Sequence, residues 1–241
     1  MKDSQKLIIV PDVHGRGFWR EAVKSHPEAL FVFLGDYLDP YPHEGIEMDE
    51  AIAGLKDIIE FKRENPDKVV LLWGNHDLHY LYPEMMGSRF DVDKAPEIAD
   101  LLYRNQDLFQ LCIECEAGEK RFLFSHAGIC QSWLRKYYPE IDPDSITAGT
   151  INSLLLREDF EKAFSAVSFY RGGDELAGSP VWADVEEHVA EYNRIPGVVQ
   201  VFGHSMMGEA LNIDGDLYCL DCKQCFTLDL ETGEIKEINN E

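Results

Sequence analysis

The chain has 241 residues, 45% apolar and 28% charged, a composition that excludes a disordered or fibrous protein and, at this length, fits one domain over residues 1–241. Its 45 acidic against 22 basic side chains leave a net charge of −23, a field that repels phosphate backbones and anionic lipid and argues against nucleic acid and membranes as partners. No stretch nears the roughly 18 apolar residues of a membrane span, and "MKDSQKLIIVP" is interrupted too soon for a signal peptide, so a cytoplasmic location is expected.

In chain order, "KLIIV" (6–10), "ALFVFLG" (29–35) and "KVVLLWG" (68–74) are continuous apolar runs of strand length, as in strands buried on both faces of a largely parallel sheet. Between the last two, "MDEAIAGLKDIIEFKREN" sets Ile52, Leu55, Ile59 and Lys62 at helical spacing with Pro66 as a stop, which makes a βαβ unit. A second helix is expected from Pro96 to about Phe109, with proline in its first turn.

The latter half changes character. "LFQLCIECEAGEKRFLFSHAG" reads as two strands about a turn at Ala117 to Lys120, and "EALNIDGDLYCLDC" and "CFTLDLETGEIKEI" as hairpins with Asp-Gly and Thr-Gly turns. Residues 132–195 read as a mostly helical insertion, and its glycine-rich loop "YRGGDELAGSPVWAD" resembles a lid or pocket wall more than a linker. The expected fold is mixed α/β in layers, with sheets inside and helices outside.

Six cysteines are expected to be reduced thiols. Cys219, Cys222 and Cys225 have a spacing that brings zinc or iron–sulfur to mind, but no fourth ligand stands at a defined distance, and the segment alternates as paired strands do.

Polar residues collect where the strands end. The first run is followed by Asp12 and His14, the second by Asp36 and Asp39, and the third by Asn75, His76 and Asp77; "RFLFSHAG" ends in His126 and "VVQVFGHS" in His204. Singly, each reads as a turn residue or a hydrogen-bonded structural histidine. Jointly, five strands delivering such groups to their carboxyl ends, where open α/β sheets gather ligands, point to a metal site. Carboxylate, amide and imidazole donors without thiolate suit Mn, Fe or Zn. Asp12, His14, Asp36, Asn75, His126 and His204 are too many for one four-coordinate ion and fit two, about 3.5–4 Å apart, the clamp used in phosphoester hydrolysis.

In that order, "DVHG", "GDYLD", "GNHD", "SHAG" and "FGHS" resemble the five signature blocks of the calcineurin-like metallophosphoesterases, whose fold is a layered α/β/β/α sandwich with central mixed sheets. Within that superfamily the chain is most similar to the phosphoprotein phosphatases, which include serine/threonine phosphatases and symmetrical diadenosine tetraphosphatases. The resemblance implies Asp12 and His14 on a first metal, Asp36 bridging, and Asn75, His126 and His204 on a second. Met206 stands where other branches carry a further histidine, which favours this branch. The implied reaction is in-line attack by a metal-bridging hydroxide, with His76 as proton donor to the leaving oxygen and Asp39 holding its imidazole.

One position departs from the pattern. Where the family has a phosphate-gripping arginine after the second aspartate of "GDYLD", this chain has Pro40, and another guanidinium must serve. Arg171 is the first candidate and Arg194 the second. The expected function is a phosphomonoesterase of the serine/threonine phosphatase type, acting on a phosphorylated protein or a small phosphate ester. The alternatives are a dinucleoside polyphosphate hydrolase or phosphodiesterase using the same metals, and a non-catalytic metal-binding scaffold.

Overall fold

The computed structural model describes residues 5–238, and the chain gathers into two compact units. Of the described residues, the first holds 5–110, Ala117–Glu119 and 223–238; the second holds Leu111–Glu116 and Lys120–Cys222. The strands are β1 (Lys6–Val10), β2 (Leu30–Phe33), β3 (Val69–Leu72), β4 (Phe109–Gln110), β5 (Cys112–Ala117), β6 (Lys120–Ser125), β7 (Val199–Phe202), β8 (Leu211–Ile213), β9 (Leu217–Cys219), β10 (Phe226–Asp229) and β11 (Ile235–Glu237). The α-helices are α1 (Trp19–Ser25), α2 (Met48–Glu64), α3 (Asn75–Leu78), α4 (Ala95–Asn105), α5 (Gln131–Tyr137), α6 (Ala148–Ser153), α7 (Phe160–Phe164) and α8 (Val185–Val189).

The three apolar runs form the heart of the first unit. Its sheet has the order β11-β10-β1-β2-β3-β4, with β1 to β4 parallel and β10 and β11 antiparallel. Ile8, Ile9, Val32, Phe33, Leu71 and Leu72 are fully buried, as a central parallel strand covered on both faces requires.

Helix α2 is positioned by its own pattern. Ala51, Ile52, Leu55, Ile58 and Ile59 make one buried stripe, and Glu47 and Glu50 form a reciprocal capping box at its start. Lys62, counted in the apolar spacing from sequence, is half-buried, and its ammonium donates to the Pro66 and Val69 carbonyls at 2.7 Å each, fastening the helix end to β3.

The helix expected from Pro96 to Phe109 is shorter. It ends at Asn105, a single 3₁₀ turn follows, and Phe109 leaves it to begin β4. There the Phe109 ring stacks on Trp73 at 4.3 Å and meets Tyr37 edge-on, and Trp73 N–H donates to the Gln110 carbonyl at 2.9 Å. Tertiary pairing thus overrides helical propensity at this end.

In the second unit the sheet order is β5-β6-β7-β9-β8, with β6, β7 and β9 parallel and β8 antiparallel to β9. The three hairpins read from sequence are β5/β6, β8/β9 and β10/β11. Helices α5 to α8 fill the segment expected to be helical, but as short pieces joined by 3₁₀ turns. The glycine-rich loop before α8 is tied down by the buried Glu187 carboxylate, which accepts from Ser168 Oγ at 2.5 Å and from Gly178 N–H at 2.7 Å. Two mixed sheets with helices are the α/β class expected. No helix among the described residues is long and apolar enough to cross a membrane.

Candidate metal centre

In the first unit the sites read from sequence lie where the adjacent parallel strands β1, β2 and β3 end. The turns after β1 and β2 are laced together: the N–H groups of Val13 and His14 both donate to the Asp36 carbonyl, at 3.0 and 2.7 Å, and Gly15 N–H donates to that of Tyr37 at 2.9 Å. The turn after β3 joins through Asp77, whose buried carboxylate accepts from the N–H groups of Asp36 (2.9 Å), Tyr37 (3.0 Å) and Gly74 (2.9 Å). Burial and the neighbouring Asp36 push that carboxyl up.

Glycine is required at the meeting of these turns. Gly35 has φ +108°, and a Cβ on Gly74 would stand 2.2 Å from Asp36 Oδ1.

Asp12, His14 and Asp36 are all buried, and each offers a ligand atom within 4.8 Å of the others. His14 Nδ1 lies 2.7 Å from the Leu38 carbonyl, which can only accept, so the proton sits on Nδ1 and Nε2 carries a lone pair. That lone pair faces Asp36 Oδ2 at 3.5 Å. Burial, opposed by Asp36, pushes the His14 imidazole down to about 3, so it is neutral. Two acceptors converging in a dry site are what a cation between them would relieve. Asn75 is buried at the head of α3, and Asp36 Oδ1 accepts from His76 N–H at 2.9 Å.

Beside this cluster lies a second one, the His14 and His76 rings being 5.3 Å apart. Asp39 is fully buried; its Oδ2 is 2.6 Å from His76 Nδ1 and 2.8 Å from His79 Nε2, and its Oδ1 accepts from Tyr80 Oη at 2.5 Å. Burial alone would push the Asp39 carboxyl up, but the two imidazoles outweigh it and hold it below the usual carboxylate range. Asp39, His76 and His79 are close enough to count as ligands for an ion of their own, although both Asp39 carboxylate oxygens already have partners in the two imidazoles and Tyr80 Oη.

Arg89 completes this group. Its Nη1 donates to the Asp39 carbonyl, its Nη2 lies 2.9 Å from His76 Nε2, and its guanidinium covers the Tyr41 ring at 3.8 Å.

In the second unit, His126 follows β6 and His204 follows β7, again adjacent parallel strands. Gly203 N–H donates to the His126 carbonyl at 2.8 Å, and His126 Nε2 and His204 Nδ1 are 3.0 Å apart, both residues being buried. Arg171 sits beside this pair: its Nη2 donates to the His204 carbonyl (3.1 Å) and to Ser205 Oγ (2.8 Å), and its Nε is 2.9 Å from Asp184 Oδ2. Arg194 instead closes the end of α8, donating to the carbonyls of His188 (2.8 Å) and Val189 (3.1 Å). Met206 is exposed.

Among the described residues no cysteine belongs to a group of three or more converging metal-capable side chains, and all six are free thiols. Cys219 packs with its thiol against the Gly203 and Ser205 carbonyls.

Three residues of these clusters carry a part that the sequence reading does not give them. His79 could have been given one, since it lies one helical turn after His76 and so on the same face. Asp77 was read as one more strand-end acid, whereas its work is to bind backbone. Arg89 carries no sequence signal: "MMGSRFD" reads as a loop.

A family model of calcineurin-like phosphoesterases matches residues 6–208, and the chain belongs to that family and is a phosphoester hydrolase. The family uses divalent metals, and the His and Asp clusters fit them. Two solved structures share the fold. A protein serine/threonine phosphatase from Saccharomyces cerevisiae, with similarity to human phosphatase PP5, superposes with a TM-score of 0.59 at 13% identity, covering 100% of this chain and 81% of that one. A cold-active protein tyrosine phosphatase does so with a TM-score of 0.57 at 16% identity, covering 99% and 81%. No curated protein sequence matches the chain.

Proposed function

We propose that the protein is a dinuclear-metal phosphomonoesterase of the serine/threonine phosphatase type, acting on a phosphorylated protein or a small alkyl phosphate ester. In the first unit Asp12, His14, Asp36 and Asn75 would hold metal, with Asp36 as the shared carboxylate; in the second, His126 and His204 would. Manganese is the first choice, with iron or zinc also suited to these donors. When bound, the cations supply charge neutralisation at phosphate oxygens and an activated water.

The buried 2.6 Å contact between Asp39 and His76 carries this reading. With Nδ1–H on the carboxylate, the imidazole presents Nε2, and His76 can give a proton from that nitrogen to a leaving alkoxide while Asp39 stabilises the imidazolium. An alcohol leaving group, as in phosphoserine or phosphothreonine, needs this help. A nucleotide phosphate, the leaving group in dinucleoside polyphosphate hydrolysis, is already a stable anion and does not. The acidic chain and its six free thiols suit a reducing, cytoplasmic setting without nucleic acid or membrane partners.

The test is metal-loaded protein assayed side by side on p-nitrophenyl phosphate, its bis ester, a phosphoserine peptide and diadenosine tetraphosphate. Preference for the peptide and the monoester is expected, with loss on chelation and recovery with Mn²⁺. Preference for the bis ester or the dinucleotide would overturn the monoesterase reading, and metal binding without turnover of any would leave a scaffold.

A further inference from the structure

We infer that Arg89 is the guanidinium that grips the substrate phosphate, in place of the arginine missing at Pro40. The assignment rests on the phosphomonoesterase reading and adds to it the residue that recognises the phosphoryl dianion.

The first observation is electrostatic. Eight of the ten arginines, Arg16, Arg20, Arg63, Arg104, Arg121, Arg157, Arg171 and Arg194, have a carboxylate oxygen within 4.0 Å. In a chain with twice as many acids as bases that is the expected fate of a guanidinium. Among the described residues Arg89 and Arg135 have none, and Arg135 is exposed with a neutral partner, Gln131. Arg89 is half-buried, yet its partners are a carbonyl, an imidazole nitrogen and an aromatic face, none of them a carboxylate. Its charge is therefore oriented but not compensated, and an anion is the ligand that completes it.

The second observation is placement. Tyr41, under the Arg89 guanidinium, also meets the His14 ring edge-on at 5.1 Å, so one aromatic platform sets the cation against a proposed metal ligand. Nη2 lies 2.9 Å from His76 Nε2, the atom proposed to face the leaving oxygen. A phosphate oxygen entering there meets two guanidinium N–H groups held by a stack and by the Asp39 carbonyl. When Nη2 turns to that oxygen it frees the His76 Nε2 lone pair, which can then take a proton from solvent and carry it to the ester oxygen.

The other two candidates are differently engaged. Arg171 is committed to Asp184, Ser205 and the His204 carbonyl, and Arg194 to the end of α8.

The test is binding of inorganic phosphate to the manganese-loaded protein by titration calorimetry, for wild type, Arg89→Met, Arg89→Lys and Arg135→Met, with bound metal counted in each. Arg89→Met should weaken phosphate about 10- to 100-fold, as expected for loss of a two-pronged charged contact. Arg89→Lys, which keeps the charge and the reach to Asp39, should fall between, and Arg135→Met, which removes one equally unpaired charge elsewhere, should match wild type. KM for p-nitrophenyl phosphate should rise in parallel with the phosphate Kd. Unchanged phosphate affinity in Arg89→Lys and Arg89→Met, with metals retained, would overturn the assignment and leave the monoesterase reading standing; should Arg89→Met fail to fold, unchanged affinity in Arg89→Lys alone would do so. A loaded wild-type protein that binds no phosphate would sink both.

Discussion

Gly74→Ala is the sharpest probe of how the proposed metal centre is built. Gly74 has φ −102° and ψ 170°, which alanine adopts freely, so any penalty comes from contact and not from backbone strain. The added methyl would lie 2.2 Å from Asp36 Oδ1 and 2.3 Å from Asp36 N, where ordinary contact begins near 3.4 Å. Asp36 must therefore retreat by about 1 Å. Two buried hydrogen bonds depend on its present place, from Asp36 N–H to Asp77 and from His76 N–H to Asp36 Oδ1, both 2.9 Å. Overpacking with the loss of such bonds costs about 2–5 kcal/mol. Since Asp36 is also the proposed shared carboxylate, metal affinity should fall about 10- to 100-fold. The assay is urea unfolding with and without Mn²⁺, with bound metal measured by mass spectrometry. A variant as stable as wild type and holding as much metal would refute the reasoning. Gly54→Ala is the contrast: Gly54 lies within α2 with nothing within 4 Å of its added Cβ, and alanine there should stabilise the protein by about 0.5–1 kcal/mol.

Asp39→Asn should lower turnover of a phosphoserine peptide about 100-fold or more while metal content holds, and lower that of p-nitrophenyl phosphate much less, because nitrophenolate leaves without a proton; equal losses on the two substrates would remove His76 from the acid role. Arg171→Met should cost about 1–2 kcal/mol in urea unfolding, since Asp184 also caps α8, and should leave KM for p-nitrophenyl phosphate unchanged; a raised KM would restore Arg171 as a phosphate ligand. His188 is fully buried with Nε2 3.0 Å from the Ala127 carbonyl, and burial pushes its imidazole down to about 4 from an ordinary 6.5. A lowered folded-state value means stability that is full above 6.5 and drains as pH falls toward 4, amounting to about 2.5 kcal/mol by pH 4.5. His188→Gln should therefore lose that much less than wild type between pH 7 and pH 4.5 in urea titrations, and parallel losses would refute it.

Much of the first unit was legible because its central strands are buried on both faces, so that "KLIIV", "ALFVFLG" and "KVVLLWG" are uninterrupted and their ends conspicuous. The residues after them stood out for the same reason. What stayed hidden depends on partners distant in sequence. Phe109 leaves its helix only because Trp73 and Tyr37 offer it two rings. Arg89 joins the site across 50 residues, through the Asp39 carbonyl and the Tyr41 face, from a loop with no pattern of its own. Arg171 and Arg194 lie near strand-end motifs in the sequence, and motif proximity does not say what a guanidinium is bonded to. From sequence His79 reads as a structural histidine; only the pairing with Asp39 distinguishes it.

The backbone at these sites shows which demand prevailed when the sequence was set. His14, Asp36, Asp39 and His204 all have positive φ, at 45°, 52°, 57° and 63°, and each follows a buried parallel strand within a few residues. The left-handed conformation costs a non-glycine residue about 1–2 kcal/mol. Glycine would relieve it at each of the four, and the strand-end turns would form at least as well. Asp and His there fit the proposed site, because the chain reverses at these positions and presents the side chain at the strand's carboxyl end, where that site would take its ligands. The cost is met locally, by the two N–H groups that converge on the Asp36 carbonyl, by the three that converge on Asp77, and by Arg171 on the His204 carbonyl. A turn serving only the fold has no use for such strain, so the identities at these four positions fit the proposed chemistry of the site.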